Sequence, residues 1–337
     1  MRVVYAIGSE LGLPIHVKLG SLIIGATAIT LILGLNGAEA RGQQPPTIQA
    51  PTIAAFKGGI DMVRIAAVVR DHKGRFVQDL SSRDFQILDA GKTQPIADFR
   101  HDIAGVSVAL LFDVSGSMEG HLPSAREAAT HVLSWLDTSL DEAAIYTFDT
   151  HLDELTPFTT GLRTMPDSIG HVVPFGETSL HDAIAETARR VGRREGRRCA
   201  VVVLTDGSDN ASRLTPAQVS AVASEIDVPV YIFGIVPSID NPTEDGTTAS
   251  AKISAFVGPL ADLAAWTGGH VFVASTPGQR SIAARQIIDE LRHQYLISFE
   301  SSGTPGWHPL VVRALNKDLT VRARSGYIAG QSSQTSF

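Results

Sequence analysis

A single cysteine, Cys199, stands in this 337-residue chain, so a disulfide within it is excluded. Its place in the apolar run "CAVVVL" suits a buried structural thiol, since free cysteine is among the most buried residue types. A basic surplus is missing too. The formal net charge is −7 and the pI lies near 5.9. Nucleic-acid binders carry the opposite balance, so no nucleic-acid partner is expected. The 11 histidines are scattered without metal-ligand spacing, which excludes them as a zinc site. No internal repeat is found, which excludes a solenoid.

Apolar residues are plentiful, at 44%, and the length suits two domains of ordinary size. Residues 1–40 read as a signal peptide or N-terminal membrane anchor. Lys18 precedes the uncharged run "LGSLIIGATAITLILGL", and Ala38-Glu39-Ala40 then offers small residues at signal-peptidase spacing. The run is close to the shortest bilayer span of roughly 17 residues, so cleavage and anchoring both stay open. No cysteine follows it, which removes a lipid anchor. The protein is thus expected to be exported: periplasmic, secreted or held outside the cytoplasmic membrane, with membrane contact only through an uncleaved N-terminal segment.

Residues 41–59, "RGQQPPTIQAPTIAAFKGG", read as a linker. A β pattern follows over 60–103. Val63, Ile65, Ala67 and Val69 alternate, then Phe85 and Ile87 before a turn at Asp89-Ala90-Gly91. So few short strands cannot bury enough surface by themselves. Residues 294–329 supply the partners, in "QYLISFE" (Tyr295, Ile297, Phe299), "HPLVVRAL" and "LTVRARSGY". The two flanks are predicted to meet in one small β-sandwich, with 330–337 a disordered tail.

Residues 104–293 alternate strand and helix patterns. The strands read "VSVALLFD", "AAIYTF", "LDELTPF", "CAVVVLTD", "PVYIFGIV" and "HVFVAS". Four are near-continuous apolar runs, as buried parallel strands are. Ala125, Ala128, Ala129, Val132, Leu133 and Leu136 share one helix face. Leu180, Ala183, Ile184, Thr187, Ala188 and Val191 share another. This predicts an α/β fold, a Rossmann-like, doubly wound, mostly parallel sheet. The polar stretch Pro237–Ser254 reads as a surface loop. The arginine run from Arg189 to Arg198 reads as a solvated helix end, favoured there by the helix dipole.

In such a sheet, ligands sit outside the carboxyl ends of the strands. Three polar clusters fall there. "LLFDVSGSME" carries Asp113, Ser115 and Ser117; "GETSLHDAI" carries Thr178; "VVVLTDGSD" carries Asp206. Two carboxylates and three hydroxyls make a hard oxygen set, which suits Mg²⁺, Mn²⁺ or Ca²⁺ rather than zinc or copper. Gly116 lets the first loop turn tightly. A serine nucleophile needs an adjacent base. "GSM" is not a G-x-S-x-G elbow, and His121 opens a helix, so the chain is expected not to be an enzyme. The "NAS" at Asn210 fits a glycosylation pattern that arises often by chance.

In their order and spacing, "DVSGSM", "GETSL" and "LTDG" resemble the metal-ion-dependent adhesion site of von Willebrand factor type A domains, over roughly Ala104 to His293. The flanking "DFQILDAGKTQPIADF" and "RARSGYIA" are similar to those of bacterial exported proteins related to that family. The resemblance implies a Rossmann-like fold that binds a protein partner through the metal. It implies that Ser115 and Ser117 hold the ion directly, and that Asp113 does so directly or through water. Thr178 would engage according to conformation, and Asp206 often through water. An Asp or Glu of the partner would complete the shell. Many relatives have two glycines before the threonine; here Glu177 places a carboxylate beside the site. Two other readings stand beside this one: a cell-envelope structural or assembly factor whose metal only stabilises loops, and a metal-assisted hydrolase.

Overall fold

The computed structural model describes residues 62–101, 105–194, 197–225, 228–237 and 256–329. The expected targeting segment, linker and tail, and the loop Pro237–Ser254 (all but its first residue), lie outside the described residues. Among those described, no helix is long and apolar enough to cross a membrane.

The chain opens with β1 (Met62–Arg70), β2 (Phe85–Asp89), β3 (Lys92–Gln94) and β4 (Asp98–Arg100). The α/β region follows: β5 (Val106–Asp113), α1 (Leu122–Trp135), β6 (Glu142–Phe148), β7 (Leu152–Thr160), α2 (Leu180–Val191), β8 (Arg198–Thr205), α3 (Pro216–Glu225) and β9 (Val230–Ile235). It closes with α4 (Pro259–Thr267), β10 (Val271–Ala274) and α5 (Pro277–Arg292). Four strands end the described chain: β11 (Gln294–Glu300), β12 (Gly306–Ala314), β13 (Thr320–Arg322) and β14 (Gly326–Ala329).

The central sheet runs β10-β9-β8-β5-β6-β7. Its pairings are parallel except for β7, an antiparallel edge. Every residue of β5 is buried, and the two-residue side-chain period splits them between two cores. Val106, Val108, Leu110 and Phe112 join Ala200, Val202 and Leu204 of β8 in one core, under α1 and α5. Ala109 and Leu111 join Val201 and Val203 in the other, under α2, α3 and α4. Both helix faces predicted from the sequence are the buried ones. Two ends of α5 are fixed locally: Thr276 and Gln279 form a capping box at its start, and the His293 N–H bonds carbonyls of the last turn.

The flanks pair as the sequence predicts. Val63 lies opposite Phe299, and Ile65 opposite Ile297, across antiparallel β1 and β11. The sheets β13-β1-β11-β4 and β14-β12-β2-β3 enclose one core, built from the alternating residues Val63, Ile65, Val69, Phe85, Ile87, Tyr295 and Phe299 with Leu310 and Val312. The α/β region is therefore inserted between the two halves of a sandwich.

Two expectations need correction. The arginine run is a solvated helix end only in its first part, where Arg189 and Arg190 fall in the last turn of α2 and Arg189 and Arg193 are exposed. Arg194 forms bonds of 2.9 and 2.6 Å to the buried Glu142 carboxylate. Arg197 bonds Ser107 Oγ at 2.8 Å, and Arg198 is itself buried. Arg194 and Arg197 thus bind the amino ends of β6 and β5. Cys199 is half-buried rather than fully enclosed. Burial still pushes its thiol up to about 11, with the Glu142 charge adding to the shift, so it stays protonated and unreactive.

Candidate metal centre

In the strand order above, β5 and β8 are neighbours, yet the chain leaves β5 toward β6 on one side and returns to β8 on the other. Their carboxyl ends thus border the crevice of a topological switch. Asp113 closes β5, and Asp206 follows Thr205, the last residue of β8.

Asp113 is fully buried. Its Oδ1 accepts the Ser115 N–H at 3.0 Å and the Ser115 hydroxyl at 2.6 Å. Its Oδ2 accepts the Thr205 hydroxyl at 2.6 Å. Ser115 Oγ lies 3.1 Å from Ser117 Oγ, and the Ser117 hydroxyl donates to Asp206 Oδ1 at 3.3 Å. Four of the five predicted side chains thus form one line of oxygens from β5 to the loop after β8. The loop between them is a short 3-10 turn, Gly116–Met118, pinned by the buried Met118.

Thr178 sits on a neighbouring loop, brought alongside by backbone contacts. Gly116 N–H donates to the Gly176 carbonyl at 3.1 Å, and Phe175 N–H to Val114 O at 3.1 Å. A Cβ on Gly116 would stand 3.3 Å from that carbonyl. Gly116 therefore serves close approach of two loops, while the left-handed turn falls to Gly176, with φ of 83°. Thr178 is buried. Its N–H donates to Asn210 Oδ1 at 2.7 Å, and its carbonyl accepts the N–H groups of Asn210 at 3.1 Å and Ala211 at 3.0 Å. Glu177 is exposed beside it.

Desolvation pushes the Asp113 carboxyl up to about 6. Hydrogen bonds from Ser115 and Thr205 oppose the shift, and the nearby Asp206 charge adds to it. These donors are neutral. A buried carboxylate held only by neutral donors is costly to ionise, and a cation at the oxygen line would relieve that cost. Among the described residues no three His, Cys, Asp or Glu side chains gather as a metal site. The donor set is instead two carboxylates with hydroxyls, which fits a hard, oxygen-preferring cation.

The sequence reading missed the residues that hold this set in place. Thr205, the threonine of "LTDG", both bonds Asp113 and accepts Gly207 N–H at 3.0 Å. Its signal was its position, directly before Asp206. Asn210, set aside as a chance tripeptide, fastens the Thr178 loop to the Asp206 loop. Asp209 accepts His181 N–H at 3.0 Å and Ser212 N–H at 3.1 Å, and pairs closely with the His181 ring. Burial works against the Asp209 charge, but the His181 and Ser212 bonds outweigh it and hold its carboxyl down at about 2.

Comparison with known proteins gives a family match over part of the α/β region. Residues 108–208 match the family model of the von Willebrand factor type A domain. Solved structures similar to the chain include a von Willebrand factor type A protein from Catenulispora acidiphila, 14% identical with a TM-score of 0.40, where the match covers 82% of this chain and 76% of that one. The conserved hypothetical protein BatB from Bacteroides thetaiotaomicron is 19% identical with a TM-score of 0.42, covering 56% and 98%. Proximal thread matrix protein 1 from the mussel byssus, with a zinc-occupied MIDAS motif, is 20% identical with a TM-score of 0.42, covering 60% and 50%. No curated protein matches the chain.

Proposed function

We propose, for a chain that carries a von Willebrand factor type A domain over residues 108–208, that it binds a protein partner through one divalent cation and performs no catalysis. The observation that carries this reading is the oxygen line Asp113–Ser115–Ser117–Asp206 at the switch of the sheet.

Ser115 and Ser117 would hold the ion with their hydroxyls, Asp113 and Asp206 with their carboxylates or through water, and Thr178 from the adjoining loop. The ion is Mg²⁺, with Mn²⁺ or Ca²⁺ as substitutes of the same hardness. Two protein carboxylates only balance a 2+ charge, so the cation still attracts a third from an Asp or Glu of the partner. A charge-assisted contact of this kind contributes about 1.5–3 kcal/mol, so the surrounding loops must supply the remaining affinity. Ser115 favours binding over hydrolysis: its hydroxyl is buried and already bonded to Asp113 and Ser117, which suits a group that holds rather than one that attacks. The apolar run at residues 19–35, read as an export signal, supports a location outside the cytoplasmic membrane.

Calorimetric titration with Mg²⁺ tests the reading. One site is expected in the wild-type chain and none in Asp113→Ala, both folded by circular dichroism. Equal uptake by the two proteins would end the proposal. Capture of envelope proteins that survives chelator would instead favour an assembly factor whose metal only steadies loops.

A further inference from the structure

The loop that carries Thr178 shows solvent two large apolar side chains. Val173 and Phe175 are each 80% exposed, while Val172 between the loop and the sheet packs against the core. The pair is not on a loose strap. Phe175 N–H bonds Val114 O, and Gly176 O takes Gly116 N–H, so the backbone under the ring is fastened on both sides of Ser115. Two carboxylates, Glu119 and Glu177, are also exposed on these same two loops.

An apolar pair fastened beside a candidate ligand site, and left uncovered by the described residues, is the composition of an interface anchor. The two acids add a second constraint. With Asp113 and Asp206 balanced by a 2+ ion, Glu119 and Glu177 leave the rim negative. The partner carboxylate that the ion attracts must pass this rim, and like charges facing across an interface are costly. A neighbouring cation on the partner removes that repulsion.

We propose that Val173 and Phe175 form the apolar half of the docking surface. The occupant is an extended segment of a protein partner. It carries one Asp or Glu for the ion, an aromatic or branched aliphatic residue that seats on Phe175 and Val173, and a Lys or Arg that faces Glu119 and Glu177. Phe175 N–H bonds Val114 O at 3.1 Å, next to Ser115, so the partner's acid and apolar residue are near neighbours on one face of an extended segment, where side chains recur every two residues. This inference rests on the metal-and-carboxylate reading above.

The test uses short fluorescent peptides built on a central Asp, with Lys before it and Phe two positions after. Variants replace Phe by Ser, Lys by Glu, and Asp by Asn. Binding is read by anisotropy on the full chain in Mg²⁺ and in chelator. The parent peptide is expected to bind in Mg²⁺ only. Losing its Phe, or substituting Phe175→Ser in the protein, should weaken binding about tenfold without changing calorimetric Mg²⁺ uptake. Lys-to-Glu should weaken it further at low salt. If Asp and Mg²⁺ are required but Phe175→Ser and the Ser peptide bind as tightly as the parent pair, the docking surface is wrong and the metal reading stands. If Asn binds like Asp and chelator has no effect, both fall. If no peptide binds at millimolar concentration, the docking surface is rejected, and Mg²⁺ uptake by the same sample decides whether the ion site survives.

Discussion

Two aspartates close two strands of this protein, and their surroundings differ in one respect. Asp89 ends β2 in the sandwich; Asp113 ends β5 in the α/β region. Both are buried. Asp89 meets His308 Nδ1 at 2.8 Å and the Tyr327 hydroxyl at 3.0 Å. The other imidazole nitrogen lies 2.7 Å from the Thr304 carbonyl. A ring with an acceptor at each nitrogen is set to carry two protons, hence a charge. Desolvation opposes that charge, but the Thr304 carbonyl and Asp89 outweigh it and raise the His308 pKa. The sandwich supplies the counter-charge for its own carboxylate. Asp113 is held by hydroxyls and an N–H instead, and its carboxyl is pushed up. One buried acid is completed by a cation from within the chain. The other meets only neutral donors among the described residues.

The largest effect expected from this contrast is in the sandwich. His308→Ala leaves Asp89 buried with its cation removed, and breaking such a pair costs about 3–5 kcal/mol. Denaturant unfolding should show that loss, with Mg²⁺ uptake unchanged. A parallel loss of uptake would break the distinction between the two acids. Next in size, Asp113→Ala should weaken Mg²⁺ binding by more than about 100-fold. In chelator it should unfold no earlier than wild type, because a costly buried acid has gone. A lower unfolding midpoint in chelator would make Asp113 a second structural pair rather than a ligand site. Thr205→Val keeps the shape and removes the donor to Asp113 Oδ2, and about tenfold weaker Mg²⁺ binding is expected by calorimetry.

The smallest effect is with pH. His308 has a raised folded pKa, so its stabilisation is complete below the unfolded value of about 6.5. It is lost as pH rises through the folded value. Asp113 has the opposite residue type and also a raised value. In chelator its contribution to stability falls between about 4 and about 6 and is flat above. The difference between wild type and His308→Asn in denaturant midpoints above pH 6.5, and below the thiol and phenol range, therefore reports His308. The midpoint should decline more steeply in wild type than in the variant.

Much of this was legible in the sequence because the signals are local. The face of α1 through Ala125, Ala129 and Val132, and the apolar run of β5, follow from spacing alone. So do the ligand candidates, since hydroxyls two and four residues after a strand-end aspartate lie in one short loop. What was not legible depends on distant loops. Asn210 matters because it meets Thr178, and Thr205 because it meets Asp113 across a neighbouring strand. The second half of the arginine run was misread for the same reason. Arg194 and Arg197 gather at Glu142, an acid whose burial comes from the stacking of β6 beside β5 and is written nowhere near it in the chain.

The sandwich built from both flanks also dictates an order of events at birth. Val63 emerges from the ribosome early, yet its cross-strand neighbour Phe299 is made only after the whole inserted region. Pairings so remote along a chain form slowly, and an apolar strand without its neighbour is prone to stick to other chains. The nascent molecule therefore spends its synthesis with β1 waiting for β11, and a chaperone that shields that strand should raise the yield of folded protein.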